Sequence, residues 1–137
     1  MIKHIEIRKQ KKIVELQEQF NKYYPFLRIE FFFERHVSGK GTHVNKIITN
    51  DKRLGQVQLI NGEGVIKLSK TMTVEKLEKL LEDDFGLFAQ VFRKSGEIWL
   101  ETSVTDSWTL EQQNEEGKNL SEHFRTEKEN AEDHDIY

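Results

Sequence analysis

Displaced against itself by 61 residues, the chain repeats its apolar pattern without a gap. Ile5 falls on Ile66, Ile7 on Leu68, Ile13 on Val74, Leu16 on Leu77, Phe20 on Leu81 and Tyr24 on Phe85. Of the 12 apolar residues between Ile5 and Phe31, 9 land on apolar partners, where chance at this composition gives about 4. Pro25 falls on Gly86, so two residues that stop helices share one place in the pattern. Beyond that stop an offset of 60 fits better, with Leu27, Ile29 and Phe31 on Leu87, Ala89 and Val91. The pattern predicts an α+β chain made of two tandem βαββ units, about residues 1–55 and 62–104.

Each unit can be read residue by residue. Val74, Leu77, Leu80 and Leu81 recur on one helical face, with Glu and Lys opposite, over Thr73 to Asp84. Thr73 has the hydroxyl an N-cap needs, Glu75 suits the positive first turn, and Gly86 suits a left-handed terminator. A hairpin follows: Leu87, Ala89 and Val91 alternate, Lys94 to Glu97 turn, and Ile98, Leu100, Thr102 and Val104 alternate again. In the first unit Ile5 and Ile7 mark a short strand, and Ile13, Leu16 and Phe20 mark a helix ending near Pro25. Leu27, Ile29, Phe31 and Phe33 then alternate as a strand, and the stretch His36 to Lys46 leads into a weaker strand around Val44 to Thr49. The expected architecture is a single sheet of about six strands with two helices packed on one face. Asp106 or Thr109, the latter with Gln112 in a capping box, is expected to start a short third helix over about 107–115.

Charge divides the chain unevenly. Residues 1–104 hold 18 Lys and Arg against 14 Asp and Glu, whereas residues 105–137 hold 3 against 10. The body is mildly basic and the end strongly acidic. Residues 117–137 show no sustained apolar period and read as an acidic, mostly disordered tail on a single domain of residues 1–116. Cysteine is absent, which excludes disulfides, a cysteine nucleophile and a thiolate metal site. Met1 to Arg8 alternates charge with aliphatics rather than carrying a secretion signal, and no run approaches the roughly 18 apolar residues of a membrane span. A cytoplasmic location with no membrane partner is the expectation.

The run Phe85 to Thr102, continued by Thr105 to Asn114, resembles a group of small uncharacterised bacterial proteins, as does Phe20 to Phe33. That resemblance implies a bacterial cytoplasmic protein, and brings with it no activity and no site residue.

Chemistry has few footholds. His36 and His43 flank Gly39-Lys40-Gly41, with His4, His123 and His134 elsewhere, too few convergent ligands for a metal. Ser38 to Thr42 lacks the earlier glycine and the following helix of a nucleotide P-loop. No serine sits in a nucleophile elbow, and Glu82-Asp83-Asp84 lies where a helix C-terminus disfavours carboxylates. No catalytic residue, metal or cofactor is assigned.

Binding has more support. Arg8, Lys9, Lys11 and Lys12 crowd the first strand-to-helix junction, and Arg35, Lys40, Lys46, Lys52 and Arg53 crowd one connecting region, as candidate anion contacts. Phe26, Phe32 and Trp99 fall opposite the main apolar set of their strands and form a candidate interaction face. The first expectation is a non-catalytic interaction module, meeting a protein partner or a second copy through its sheet face. The alternative is a single-stranded nucleic-acid binder whose acidic tail competes for its basic surface, and a small enzyme with an unrecognised pocket comes third.

Overall fold

Nine elements make up the computed structural model, which describes residues 2–34 and 47–134, with side chains through residue 130. They run β1 (Lys3–Ile7), α1 (Ile13–Tyr23), β2 (Leu27–Phe32), α2 (Leu54–Val57), β3 (Gly64–Leu68), α3 (Val74–Phe85), β4 (Phe88–Ser95), β5 (Ile98–Glu101) and α4 (Leu110–His134). The class is α+β. The local signals act as their chemistry requires. Thr73 caps α3 by accepting the Lys76 N–H at 3.1 Å, and Gly86 ends it at φ 64°.

The described strands form two antiparallel sheets, β1-β3 and β2-β4-β5, and not one sheet of about six strands. The first strand of each half pairs with its counterpart, which draws those two strands away from the others into a ribbon of their own. Ile5 lies opposite Ile66 and Glu30 opposite Gln90, separations of 61 and 60 residues. An antiparallel pair has a local two-fold axis, and these registers place the self-matching residues of the sequence on it. Half of the expected Val44–Thr49 strand lies outside the described residues; of the rest, Ile47 forms a single bridge to Phe32.

Four helices, rather than two on one face and a short third, pack with the sheets around one core. Ile5 and Ile66 of the ribbon, Leu16 of α1, Leu77 of α3, Ile29 and Val91 of the larger sheet, Leu54 of α2 and Leu110 of α4 all belong to it. α1 runs antiparallel to β2, with Asn21 Nδ2 donating to Leu27 O at 3.0 Å and Gln17 Nε2 to Ile29 O at 2.8 Å. These contacts give the body two ends. The starts of α1 and α2 lie at one end with the ends of β1 and β2. The starts of α3 and α4 and the Gly96 turn lie at the other.

The acidic segment is helical to His134. Apolar periodicity is a poor guide there, because α4 is held by small contacts and charge pairs instead. Gly117 admits the Phe26 side chain so closely that a Cβ would stand 2.9 Å from Phe26 Cβ. Phe124 covers the turn glycine Gly96, Lys128 Nζ meets Glu97 at 3.2 Å, and His123 Nε2 meets Glu127 one turn on at 2.9 Å.

Candidate functional site

At the first end, the segment Lys9–Val14 lies antiparallel to Asn50–Gly55, joined by a bridge between Lys12 and Arg53. Ile13 N–H donates to Lys52 O at 2.9 Å, Val14 N–H to Asn50 O at 3.0 Å, Leu54 N–H to Lys11 O at 2.8 Å and Gly55 N–H to Lys9 O at 3.0 Å. The orphan amides that open α1 are therefore already occupied by backbone carbonyls, and the helix start itself offers an anion little. What the frame presents outward is side chains.

The second half uses the same frame with different side chains. Val74 N–H donates to Trp108 O at 3.1 Å, Glu75 N–H to Asp106 O at 2.8 Å and Leu110 N–H to Met72 O at 2.9 Å, around a bridge between Thr73 and Thr109. Thr73 and Thr109 hydroxyls accept from Lys76 N and Gln112 N, both at 3.1 Å. Lys12 and Arg53 stand in their places. Neither has a side chain that can accept, so each helix keeps only the returning half of its capping box: Lys12 N–H to Glu15 Oε1 at 3.2 Å and Arg53 N–H to Gln56 Oε1 at 2.8 Å.

Lys9, Lys52 and Arg53 are exposed and Lys12 half-exposed. Arg53 is oriented by donating to Gln10 O. Arg8 is held by Glu6 at 2.8 Å, and the two raise and lower each other's pKa in the usual ion-pair sense. Lys11 turns inward to Glu6 O (2.8 Å) and Gln19 Oε1 (3.0 Å), and burial lowers its pKa. Carboxylates are present too: Glu15 and Glu63 bond backbone amides, and a hydrogen bond from Thr49 lowers the pKa of Asp51. Of the candidate anion contacts, the structure thus brings Lys9, Lys12, Lys52 and Arg53 onto one ridge and engages Arg8 and Lys11 elsewhere. Arg35, Lys40, Lys46, His36 and His43 lie outside the described residues.

The three aromatic candidates do not share an accessible face. Phe32 is 3% exposed. Phe26 packs under α4, its N–H donating to Asn114 Oδ1 at 2.8 Å. Trp99 lies opposite Lys94 on edge strand β5, half-covered, with the Arg28 guanidinium 5.8 Å from its ring centre. The alternation expected for Phe33 also breaks. The β2-β4 ladder ends at Phe32 with Phe88, and Phe33 beyond it is 64% exposed. Trp108 is 38% exposed beneath the Arg93 guanidinium.

One buried acid escaped the sequence reading. Glu78 Oε2 accepts the Val91 N–H at 2.9 Å, and burial pushes its pKa up to about 8. Its helical spacing from Val74, Leu81 and Phe85 already placed it on the apolar face. Among the described residues no group of His, Asp and Glu is arranged to hold a metal, and no helix is long and apolar enough to cross a membrane. Comparison with protein-family models, with curated proteins and with solved structures returns no match to this chain.

Proposed function

We propose that the chain is a non-catalytic binding module whose ligand is a polyanion held on the paired starts of α1 and α2. The observation that carries this is the exchange of caps: Lys12 and Arg53 occupy, on the same hydrogen-bonded frame, the places that Thr73 and Thr109 fill in the other half. A cation at the positive end of a helix disfavours folding by about 0.3–1 kcal/mol, and a lost hydroxyl cap by about 1 kcal/mol. The same two residues, with Lys9 and Lys52 beside them, supply what a run of phosphates needs. α4 makes its contacts at the opposite end, with Phe26, Arg93 and Gly96, so competition by an acidic tail forms no part of this reading.

The repeated frame also supports an origin by duplication of one βαββ unit, with the caps diverging afterwards. A cytoplasmic location is proposed on sequence grounds alone.

Fluorescence anisotropy with a labelled single-stranded oligonucleotide, across a salt series, tests the binding. Replacing Lys12 and Arg53 together by threonine is expected to weaken binding and to reduce the salt slope by about 1.4, at roughly 0.7 per lost phosphate contact. Unchanged affinity in the folded double variant would exclude the ridge.

A protein partner is the second reading, and the hairpin favours it. Ile98 and Leu100 on edge strand β5 are 59% and 39% exposed, and Trp108 nearby is 38% exposed. Light scattering on the wild type and on Ile98→Lys tests for self-association there. A nearby cavity of about 400 Å³, lined among others by Phe26, Lys94, Glu97, Ser121, Glu122 and Phe124, gives the enzyme reading little, since the Ser121 hydroxyl on its wall has no hydrogen-bond partner to act as its base.

A further inference from the structure

We propose that Phe33 is a base-stacking platform beside the cationic ridge, so that the polyanion is a single-stranded nucleic acid, its phosphates on Lys12, Lys52 and Arg53 and a base on Phe33. The inference rests on the ridge as the binding site and adds what the ligand must carry besides charge. Phe33 follows the last residue of β2, where Phe32 pairs with Phe88 on one side and bridges Ile47 on the other. The β2-β4 ladder goes no further than Phe32, and the Phe33 ring is 64% exposed.

Phe33 also stands at the right end of the body. Ile48 N–H donates to Phe31 O at 2.8 Å, and the chain then runs directly to Asn50 and Lys52, whose carbonyls accept the first amides of α1. From Ile47 to Lys52 the chain spans at most about 18 Å. One strand of a few nucleotides covers that distance, so one ligand can reach both features.

The combination is selective. A ring 64% exposed at the same end of the body as a group of cations suits a base attached to a phosphate chain, because every base has a face to stack and every linkage a charge. A double helix keeps its bases stacked inside and gains only the charges. A lipid surface carries charges without bases, and Leu59 and Ile60, exposed on the loop tied to Gly86, are the residues it would engage instead.

The test uses the full chain and two labelled probes of equal length and charge: an oligothymidylate and an abasic sugar-phosphate chain. Wild type is expected to prefer oligothymidylate by about tenfold, within the range that loss of one base–aromatic stack produces. Phe33→Ala should abolish that preference and leave the salt slope unchanged, while Phe33→Tyr should retain it. Equal binding of the two probes by wild type, or a preference that survives Phe33→Ala, overturns the stacking proposal and leaves the ridge standing. Binding of neither probe, with binding to vesicles containing phosphatidylserine, overturns the nucleic-acid assignment and the ligand class together. Far-ultraviolet circular dichroism of each variant confirms that the fold is kept, as expected for an exposed residue at a strand end.

Discussion

Gln17 and Glu78 hold equivalent places on α1 and α3, 61 residues apart, and each satisfies the open edge of a strand with opposite polarity. Gln17 Nε2 donates to Ile29 O at 2.8 Å, whereas Glu78 Oε2 accepts the Val91 N–H at 2.9 Å. Their neighbours on the strands are exchanged as well. Gln17 also donates to Glu30, and Glu30 faces Gln90 across the β2-β4 ladder. Carboxylate and amide thus swap places between the halves, but not their surroundings. Glu30 meets the Arg28 guanidinium at 2.6 Å, while Asp106, Glu75 and Glu101 all repel charge on Glu78.

That difference predicts a pH dependence of stability. The pKa of Glu78 is raised from 4.5 to about 8, chiefly by burial, so the fold prefers its protonated form. Below about 4.5 the group is protonated in folded and unfolded chains alike and its contribution is fully present. As pH rises toward 8 the unfolded chain gives up the proton first, and stability falls by up to about 1.4 kcal/mol per unit. Glu78→Gln installs the residue that α1 carries and should flatten this decline, most visibly in urea unfolding at pH 9. A variant with the wild-type pH profile would show that Glu78 is not the titrating group.

The cap exchange makes a stability prediction separate from binding. Lys12→Thr and Arg53→Thr each restore a hydroxyl acceptor and remove a cation from a helix start. Each should raise the unfolding free energy by about 0.5–1.5 kcal/mol at low salt, with part of the gain lost in high salt. Thr73→Lys, the reverse change on the same frame, should lower stability by a similar amount. Chemical denaturation of the three single variants decides it, and a gain in the last would mean that the caps are not comparable.

The helices and hairpin were legible because their signals are local. Thr73, Gly86, Pro25 and the Gly96 turn act within a few residues, and apolar spacing marks Ile13, Leu16 and Phe20 as inward. Strand partnership was not, because nothing in Ile5 or Ile66 says that each will pair with the other rather than with the strand that follows its own helix. α2 went unseen because four residues carry no period. Of the ridge, the cations could be read but not their pairing, since Lys12 and Arg53 are 41 residues apart and their segments meet through backbone hydrogen bonds that no residue type announces. Phe33 was misplaced by extending an alternation past the end of its ladder.

Phe32 now carries a different expectation from the one its alternation suggested. At 3% exposure it cannot be the centre of a subunit interface, and a carboxylate placed there has to be desolvated. Phe32→Glu is expected to destabilise the monomer by more than about 3 kcal/mol, read as a lowered urea midpoint. A folded variant of wild-type stability would show that this face is open after all.

Gly117 offers the sharpest test of how α4 is held. In an exposed helix, glycine to alanine stabilises by about 1 kcal/mol. Here an added Cβ would stand 2.9 Å from Phe26 Cβ, 3.1 Å from Arg93 Cγ and 3.1 Å from Phe26 O, and the backbone oxygen cannot turn aside as a side chain can. Overpacking of this kind costs about 1–3 kcal/mol, so the net effect should be destabilising despite the better helix former. Lys118→Ala, one residue on and exposed, serves as the control that reports propensity alone. Thermal unfolding of Gly117→Ala should fall below wild type, with faster hydrogen exchange through residues 117–128. A rise instead would mean that α4 does not press against Phe26 at Gly117.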